Sequence, residues 1–330
     1  MFFQELDLLE IRLSYLDAYV DRFLIVEACQ TFSGKPKGFV FEEHAHRFSA
    51  YLHKIDYQKI TDFHRDFQSV QQYLKNAGTP SHQKILKFME QHSHYPKTEF
   101  NWVLESYHRE CIHLALDSVA DDEDIVIISD LDEIPCVQLF NAKNLSSISD
   151  RPRVCQQREF RYFLNYYKDS DWLGSIAGQY QVIGQKSLNL LRRDSKATRE
   201  IVHPDSIKDC GYHYTSCGSV DMIREKIKSW SHQELNNSVV LNNLEKNILS
   251  GQDIFLRESG TNLKRVDITD RKFFDSDMSS LILQFPHLIT DEQIDVIKPS
   301  LFRDLWRGGV MIWQKIQYKL SRLIKIKNNI

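Results

Sequence analysis

Glycine is sparse in this chain, twelve in 330 residues, and none of them form G-x-G-x-x-G or G-x-x-x-x-G-K-[ST]. That excludes two common ways of cradling phosphate on bare backbone amides, the dinucleotide fingerprint and the P-loop. No G-x-S-x-G elbow occurs either, which removes the corresponding hydrolase nucleophile. The six cysteines (Cys29, Cys111, Cys136, Cys155, Cys210, Cys217) include no C-x-x-C pair. In a chain with no export signal, that spacing predicts reduced core thiols rather than disulfides or a zinc site. No run of about 20 apolar residues exists, so no membrane-spanning helix is expected. The opening MFFQELDLLEIRL has no basic region, apolar core or small-residue cleavage site, and predicts a cytoplasmic protein. A net charge of −3 gives no reason to expect a nucleic-acid partner.

What remains is the composition of an ordinary globular protein, with 42% hydrophobic and 26% charged residues. The charge is unevenly spread. Residues 303–330 hold seven basic residues and one acid, a net of +6, which leaves −9 on the remainder. Within this tail, Val310, Ile312, Trp313, Ile316, Leu320, Leu323 and Ile324 share one helical face, opposite Lys315, Lys319, Arg322 and Lys325. A basic amphipathic helix over 310–327 fits peripheral contact with the inner face of a membrane. It fits equally well a terminal helix docked on the acidic body. The chain therefore divides into a body, 1–300, and a basic helix, 301–330.

Along the body, strands are expected at 22–29 (RFLIVEAC), 56–64, 125–128, 152–167 and 211–216. Helical periodicity covers 6–19, 101–120 and 219–230. The polar stretch 68–98 reads as a partly helical insertion. Alternation of helix and strand predicts an α/β doubly wound architecture with a mostly parallel central sheet.

The densest chemistry lies at residues 125–135, IVIISDLDEIP. An apolar strand ends in Asp130, Asp132 and Glu133. Ligand crevices in parallel sheets lie beyond the carboxyl ends of the strands, and three crowded acids repel one another unless a cation or hydrogen bonds compensate. Oxygen ligands suit Mg²⁺ or Mn²⁺, ions that usually arrive with substrate phosphates. The same acids near Pro135 also suit a simpler role, capping a helix N-terminus.

These residues sit among further motifs: ELDLLEIRL (5–13), VDRFLIVEA (20–28), TFSGKPK (31–37), DDEDIVIISDLDEIP (121–135), and more weakly Trp102, Glu105 and Arg109, WLGS (172–175), GYHYTS (211–216) and KIKSWSHQE (226–234). In this order the chain resembles glycosyltransferase family 17, the β-1,4-mannosyl-glycoprotein 4-β-N-acetylglucosaminyltransferase family. The resemblance implies a GT-A-type nucleotide-sugar-binding fold, a UDP-sugar donor (UDP-GlcNAc foremost), a divalent metal, and inversion at the anomeric carbon. It also implies a first strand longer than the residues preceding ELDLL. The acceptor would be a glycan or glycolipid. Tyr212 stands where the family commonly has Trp, and 68–98 has no counterpart in it.

Under that resemblance Asp132 is the direct metal ligand, with Asp130 acting through water or on the ribose, and Glu133 orients them. His213 either completes the metal shell or is a buried hydrogen-bonded histidine. The base that deprotonates the acceptor hydroxyl is Asp253 or Glu234, although each also fits an ordinary surface acid or cap. Glu27 would touch uracil or ribose, and Lys35 and Lys37 phosphate, unless the lysines are merely solvated. Arg109 would balance the carboxylates or meet the diphosphate. Trp102, Trp172 and Tyr214 would stack on sugar or fill the core. Two other functions use the same acids: a nucleotidyl or phosphoryl transferase, and a sugar-nucleotide or glycan-binding protein without turnover.

Overall fold

The computed structural model describes residues 1–148, 151–258 and 263–292, together with Gly309, Ile312, Trp313 and Ile316. The strands are β1 (Phe23–Ala28), β2 (Ile55–Ile60), β3 (Ile125–Ile128), β4 (Glu133–Ile134), β5 (Arg153–Arg161), β6 (Tyr166–Gln179), β7 (Tyr212–Thr215) and β8 (Leu263–Arg265). β1 and β2 form a parallel pair. The others form a sheet in the order β3-β6-β5-β7-β4, with β8 on β6.

The mostly parallel central sheet expected from the sequence is replaced by a mixed one. Among the described residues only β5 and β7 pair in parallel within it, and the other pairings are antiparallel. The cause is connection length. Only residues 162–165 separate β5 from β6, which suffices for a hairpin but not for the dozen or more residues a parallel crossover needs. β3, read as a strand inside a covered parallel sheet, pairs antiparallel with β6. Its side toward β1 borders a cavity of 640 Å³. Phe2 donates its amide to the Val26 carbonyl at the head of this cavity (3.0 Å).

Helices cover the sheets. Leu6–Leu16 buries Leu8, Leu9, Ile11 and Leu13 in the main core with β4 and β7. The insertion folds as a helical hairpin, Phe67–Ala77 and Pro80–Gln91. Asp66 and Ser69 build a capping box at the first helix, while Thr79 and Pro80 start the second. Each helix carries an apolar stripe, Val70 and Leu74 facing Ile85 and Met89, which closes over β1 and β2. The helix expected over 101–120 is divided at Cys111 into Phe100–Glu110 and Ile112–Val119. All six cysteines are free thiols. No helix among the described residues is long and apolar enough to cross a membrane. Of the basic tail helix, Ile312, Trp313 and Ile316 are helical and exposed; the rest lies outside the described residues.

Candidate functional site

The turn 129–132 leaves β3 and re-enters the sheet as β4, so its acids sit at one sheet edge. Arg12 on the first helix braces this turn, donating to the Glu133 carbonyl (2.7 Å) and to Ser129 Oγ (2.5 Å). Its guanidinium is buried, which pushes its pKa down to about 10 even beside three acids. β4 pairs with β7 in a register that sets Glu133 opposite His213, and the Tyr214 amide donates to the Asp132 carbonyl (2.8 Å). Gly211 makes this approach feasible. It adopts φ +128°, and a Cβ there would stand 2.2 Å from the Ile134 carbonyl oxygen. The glycine of GYHYTS therefore lets β7 deliver His213 to the acidic turn.

The three acids do different work. Glu133 is wholly buried, and both of its oxygens are engaged. Arg192 grips it at 2.5 and 2.8 Å, and Trp172 Nε1 donates at 2.6 Å. Burial alone would raise its pKa, but Arg192 outweighs that and keeps it ionised. It fixes Arg192, Trp172 and, through the Asp130 amide, the turn itself. Asp130 pairs with Arg192 (2.8 Å) and Arg109 (3.7 Å). Those cations overcome the desolvation and hold its carboxyl far below its ordinary value. Asp132 offers Oδ2 to Lys226 (3.2 Å), while Oδ1 faces His213 Nε2 at 4.0 Å. Lys226 also meets Glu5 (2.9 Å). Burial would strip its proton, yet the two carboxylates raise its pKa.

His213 stacks on Trp172 (centroids 4.3 Å apart), and its Nδ1 has no partner among the described residues. Burial lowers its pKa against the pull of Asp132 and Glu133, so the ring is neutral, as a metal ligand must be. Among the described residues no three His, Cys, Asp or Glu side chains converge on one metal position. Asp132 and His213 are the pair of such side chains that face each other at this edge, and two donors would leave a divalent ion to complete its shell with diphosphate and water.

These groups line a cavity of 430 Å³, whose wall includes Asp130, Asp132, His213, Arg109, Lys37 and Trp102. Several expected residues are absent from it. Glu27 is buried behind the wall, accepting from Lys37 (2.5 Å), Tyr57 (2.7 Å) and the Val40 and Phe41 amides (2.8 and 3.1 Å). With both oxygens occupied it anchors the next loop and is not open to a ribose. Lys35 is exposed outside the lining, while Lys37 lines the cavity. Asp253 also lies outside it, its carboxylate accepting from the amides of Phe255, Arg257 and Glu258 (3.2, 2.7 and 3.3 Å). That is a buried loop cap, so the structure does not bring Asp253 to the site. Glu234 sits one step back, bonded to His232 Nδ1 (2.7 Å), and it is His232 that lines the cavity. Trp102 stacks on Tyr95 at the wall (4.0 Å), Trp172 supports His213, and Tyr214 is wholly buried core.

The sequence reading missed Arg192, Lys196 and His232. Arg192 and Lys196 stand four apart on the helix Leu188–Lys196, one face of which meets the acidic turn. That i, i+4 cationic pair was visible in LNLLRRDSK. Its orientation toward Asp130 was not. Lys196 reaches over the Trp172 ring (3.8 Å), where partial desolvation and then Arg192 push its ammonium down to about 8.

The chain's similarity to known proteins follows the same segments. The model for glycosyltransferase family 17 matches residues 1–86 and 67–259, two overlapping stretches that carry β1 to β7 and every group of the cavity named above. Neither the curated proteins nor the solved structures compared contain a match. With most of its length matched, the chain belongs to glycosyltransferase family 17 and is a transferase of glycosyl groups.

Proposed function

We propose that this transferase moves a sugar, N-acetylglucosamine foremost, from a UDP donor to a glycan or glycolipid acceptor with inversion, in a GT-A-type site assisted by Mn²⁺ or Mg²⁺. The observation that carries the reading is the placement of Asp132 Oδ1 opposite the neutral His213 at the wall of a cavity ringed with cations. A UDP leaving group gathers negative charge on its diphosphate as the sugar departs. Held by Asp132 and His213, a divalent ion supplies Lewis-acid neutralisation of that charge. The chain's own groups do the rest. Arg109 and Lys196 face the diphosphate region, Lys37 borders it, and Glu133 keeps Arg192 and Trp172 in register.

Inversion needs a base on the acceptor side. His232, with Glu234 bonded to its Nδ1, has the arrangement of an imidazole that accepts a proton on Nε2 while a carboxylate holds the resulting cation. The expected role of Glu234 is thereby recast as orienting His232 rather than touching the acceptor.

One observation favours a second reading, transfer without metal. Arg192, Arg109 and Lys226 already pair with the three acids, so side-chain cations alone would stabilise the leaving diphosphate. Hydrolysis of a panel of UDP-sugars, with Mn²⁺ and with chelator, tests both. UDP release from UDP-GlcNAc that needs Mn²⁺ supports the first reading, and equal release in chelator supports the second. No release from any UDP-sugar in the presence of acceptor glycans, with UDP still bound, would favour a binding protein. Diphosphate formed from UTP and a sugar phosphate would favour a nucleotidyl transferase.

A further inference from the structure

Beside the 430 Å³ cavity of the site lies a second one of 570 Å³, which shares Tyr95, Trp102, Glu105, Arg109, Arg192 and Lys196 with it. Beyond that shared wall its lining is basic. Arg109 and Arg192 are spent on the acidic turn. Lys87, Lys186, Arg193 and Lys196 are not: among the described residues none lies within ion-pairing distance of a carboxylate. The acid in the lining, Glu105, is committed to Arg109 (3.1 Å) and to Ser231.

Isolated surface lysines need no explanation. Lys196 also faces the donor region, but Lys87, Lys186 and Arg193 line this cavity alone; unpaired cations around one concavity repel one another, and a bound anion relieves that repulsion. The chemistry of the wall is not purely ionic. Tyr95 and Trp102 stack face to face at 4.0 Å, an apolar plate of the kind that packs against a sugar ring. His92, lowered to about 4 by burial and then by Lys97, stays neutral there and adds a polar group without adding charge.

The position decides which substrate is concerned. The donor diphosphate belongs beside Asp132 and His213. Lys186 and Arg193 line the second cavity and not the first, so they lie on the far side of the shared wall from the donor. We propose that this second cavity is an acceptor subsite for a saccharide bearing a negative group, phosphoryl or carboxylate, with Tyr95 and Trp102 against the sugar and Lys186 and Arg193 on the anion. The proposal rests on the donor reading above, and names the acceptor class that reading leaves open.

Calorimetric titration of the full chain, with UDP at saturation, tests it with three probes: N-acetylglucosamine 1-phosphate, glucuronic acid and neutral N-acetylglucosamine. UDP keeps the phosphorylated probe out of the donor site. Charge-assisted hydrogen bonds predict that at least one charged probe binds about tenfold or more tighter than the neutral sugar. Which one does so separates phosphoryl from carboxylate. In Lys186→Ser/Arg193→Ser, whose side chains are away from the donor wall, that preference should shrink to about twofold or less while UDP affinity is unchanged. Equal affinity for all three probes, no binding of any, or a preference that survives the double substitution overturns the subsite. Failure of UDP itself to bind overturns the donor reading instead. The three probes are then compared without it.

Discussion

Two acidic stretches look alike in the sequence, DLDE at 130–133 and GQD at 251–253, and the fold uses them in opposite ways. Asp253 accepts from three backbone amides and, more loosely, from Arg257 on its own loop (3.4 Å), and lies outside the cavity lining. Asp132 is held by a side-chain cation on one oxygen and opens to the cavity on the other. An amide-bound carboxylate is part of the chain's geometry, because moving it strands buried N–H groups. A carboxylate held by a lysine ammonium can exchange that partner for a ligand, since the ammonium is compact and its stem flexible. Glu27 is likewise fixed by the Val40 and Phe41 amides as well as by Tyr57 and Lys37, whereas the partners of the Asp130 carboxylate among the described residues are the guanidinium groups of Arg109 and Arg192.

Substitutions can break this comparison. The largest effect is expected at Glu133→Ala, which leaves Arg192 with Asp130 alone and strips Trp172 Nε1 and the Asp130 amide of their buried acceptor, at a cost of about 3–5 kcal/mol of stability; chemical denaturation measures it. Asp253→Ala should cost about 2–3 kcal/mol by the same measurement, for the stranded amides, and leave turnover per folded molecule intact. Glu234→Gln should lower transfer by about 10- to 100-fold with little change in melting temperature.

A smaller effect separates a buried histidine from a working one. Burial pushes His108 down to about 3 from 6.5, so the unfolded chain binds a proton there that the folded chain refuses. Its contribution to stability is complete above pH 6.5 and is lost as the pH falls toward 3, at about 1.4 kcal/mol per pH unit. His108→Gln should flatten the acid side of the stability curve by that slope, while Lys35→Ala should change neither stability nor transfer.

Much of this could be read from residues alone, for identifiable reasons. β1, β3 and the acidic turn are local signals, apolar runs ending in acids, and they form where expected. GYHYTS reads as a strand from residues alone, and the structure pairs it with β4 so that His213 lies opposite Glu133. What failed was orientation. A carboxylate at the end of a strand or loop reads the same whether it faces a crevice or caps amides, and the structure puts Glu27 and Asp253 on amides outside the cavity lining. β6 was missed as one 14-residue strand because its first half, YYKDSDW, is polar, and β5 with β8 supplies the pairing that extends it. Arg192 and Lys196 gain meaning only from the packing of their helix on the turn.

The central claim is that Asp132 faces the reaction and Asp253 does not. The direct test is UDP release from UDP-GlcNAc, with Mn²⁺, by Asp132→Ala and Asp253→Ala side by side, each corrected for its folded fraction. The account predicts at least about a thousandfold loss for Asp132→Ala and a rate within about twofold of the parent for Asp253→Ala. Near-parent release by Asp132→Ala, or abolished release by folded Asp253→Ala, would contradict it.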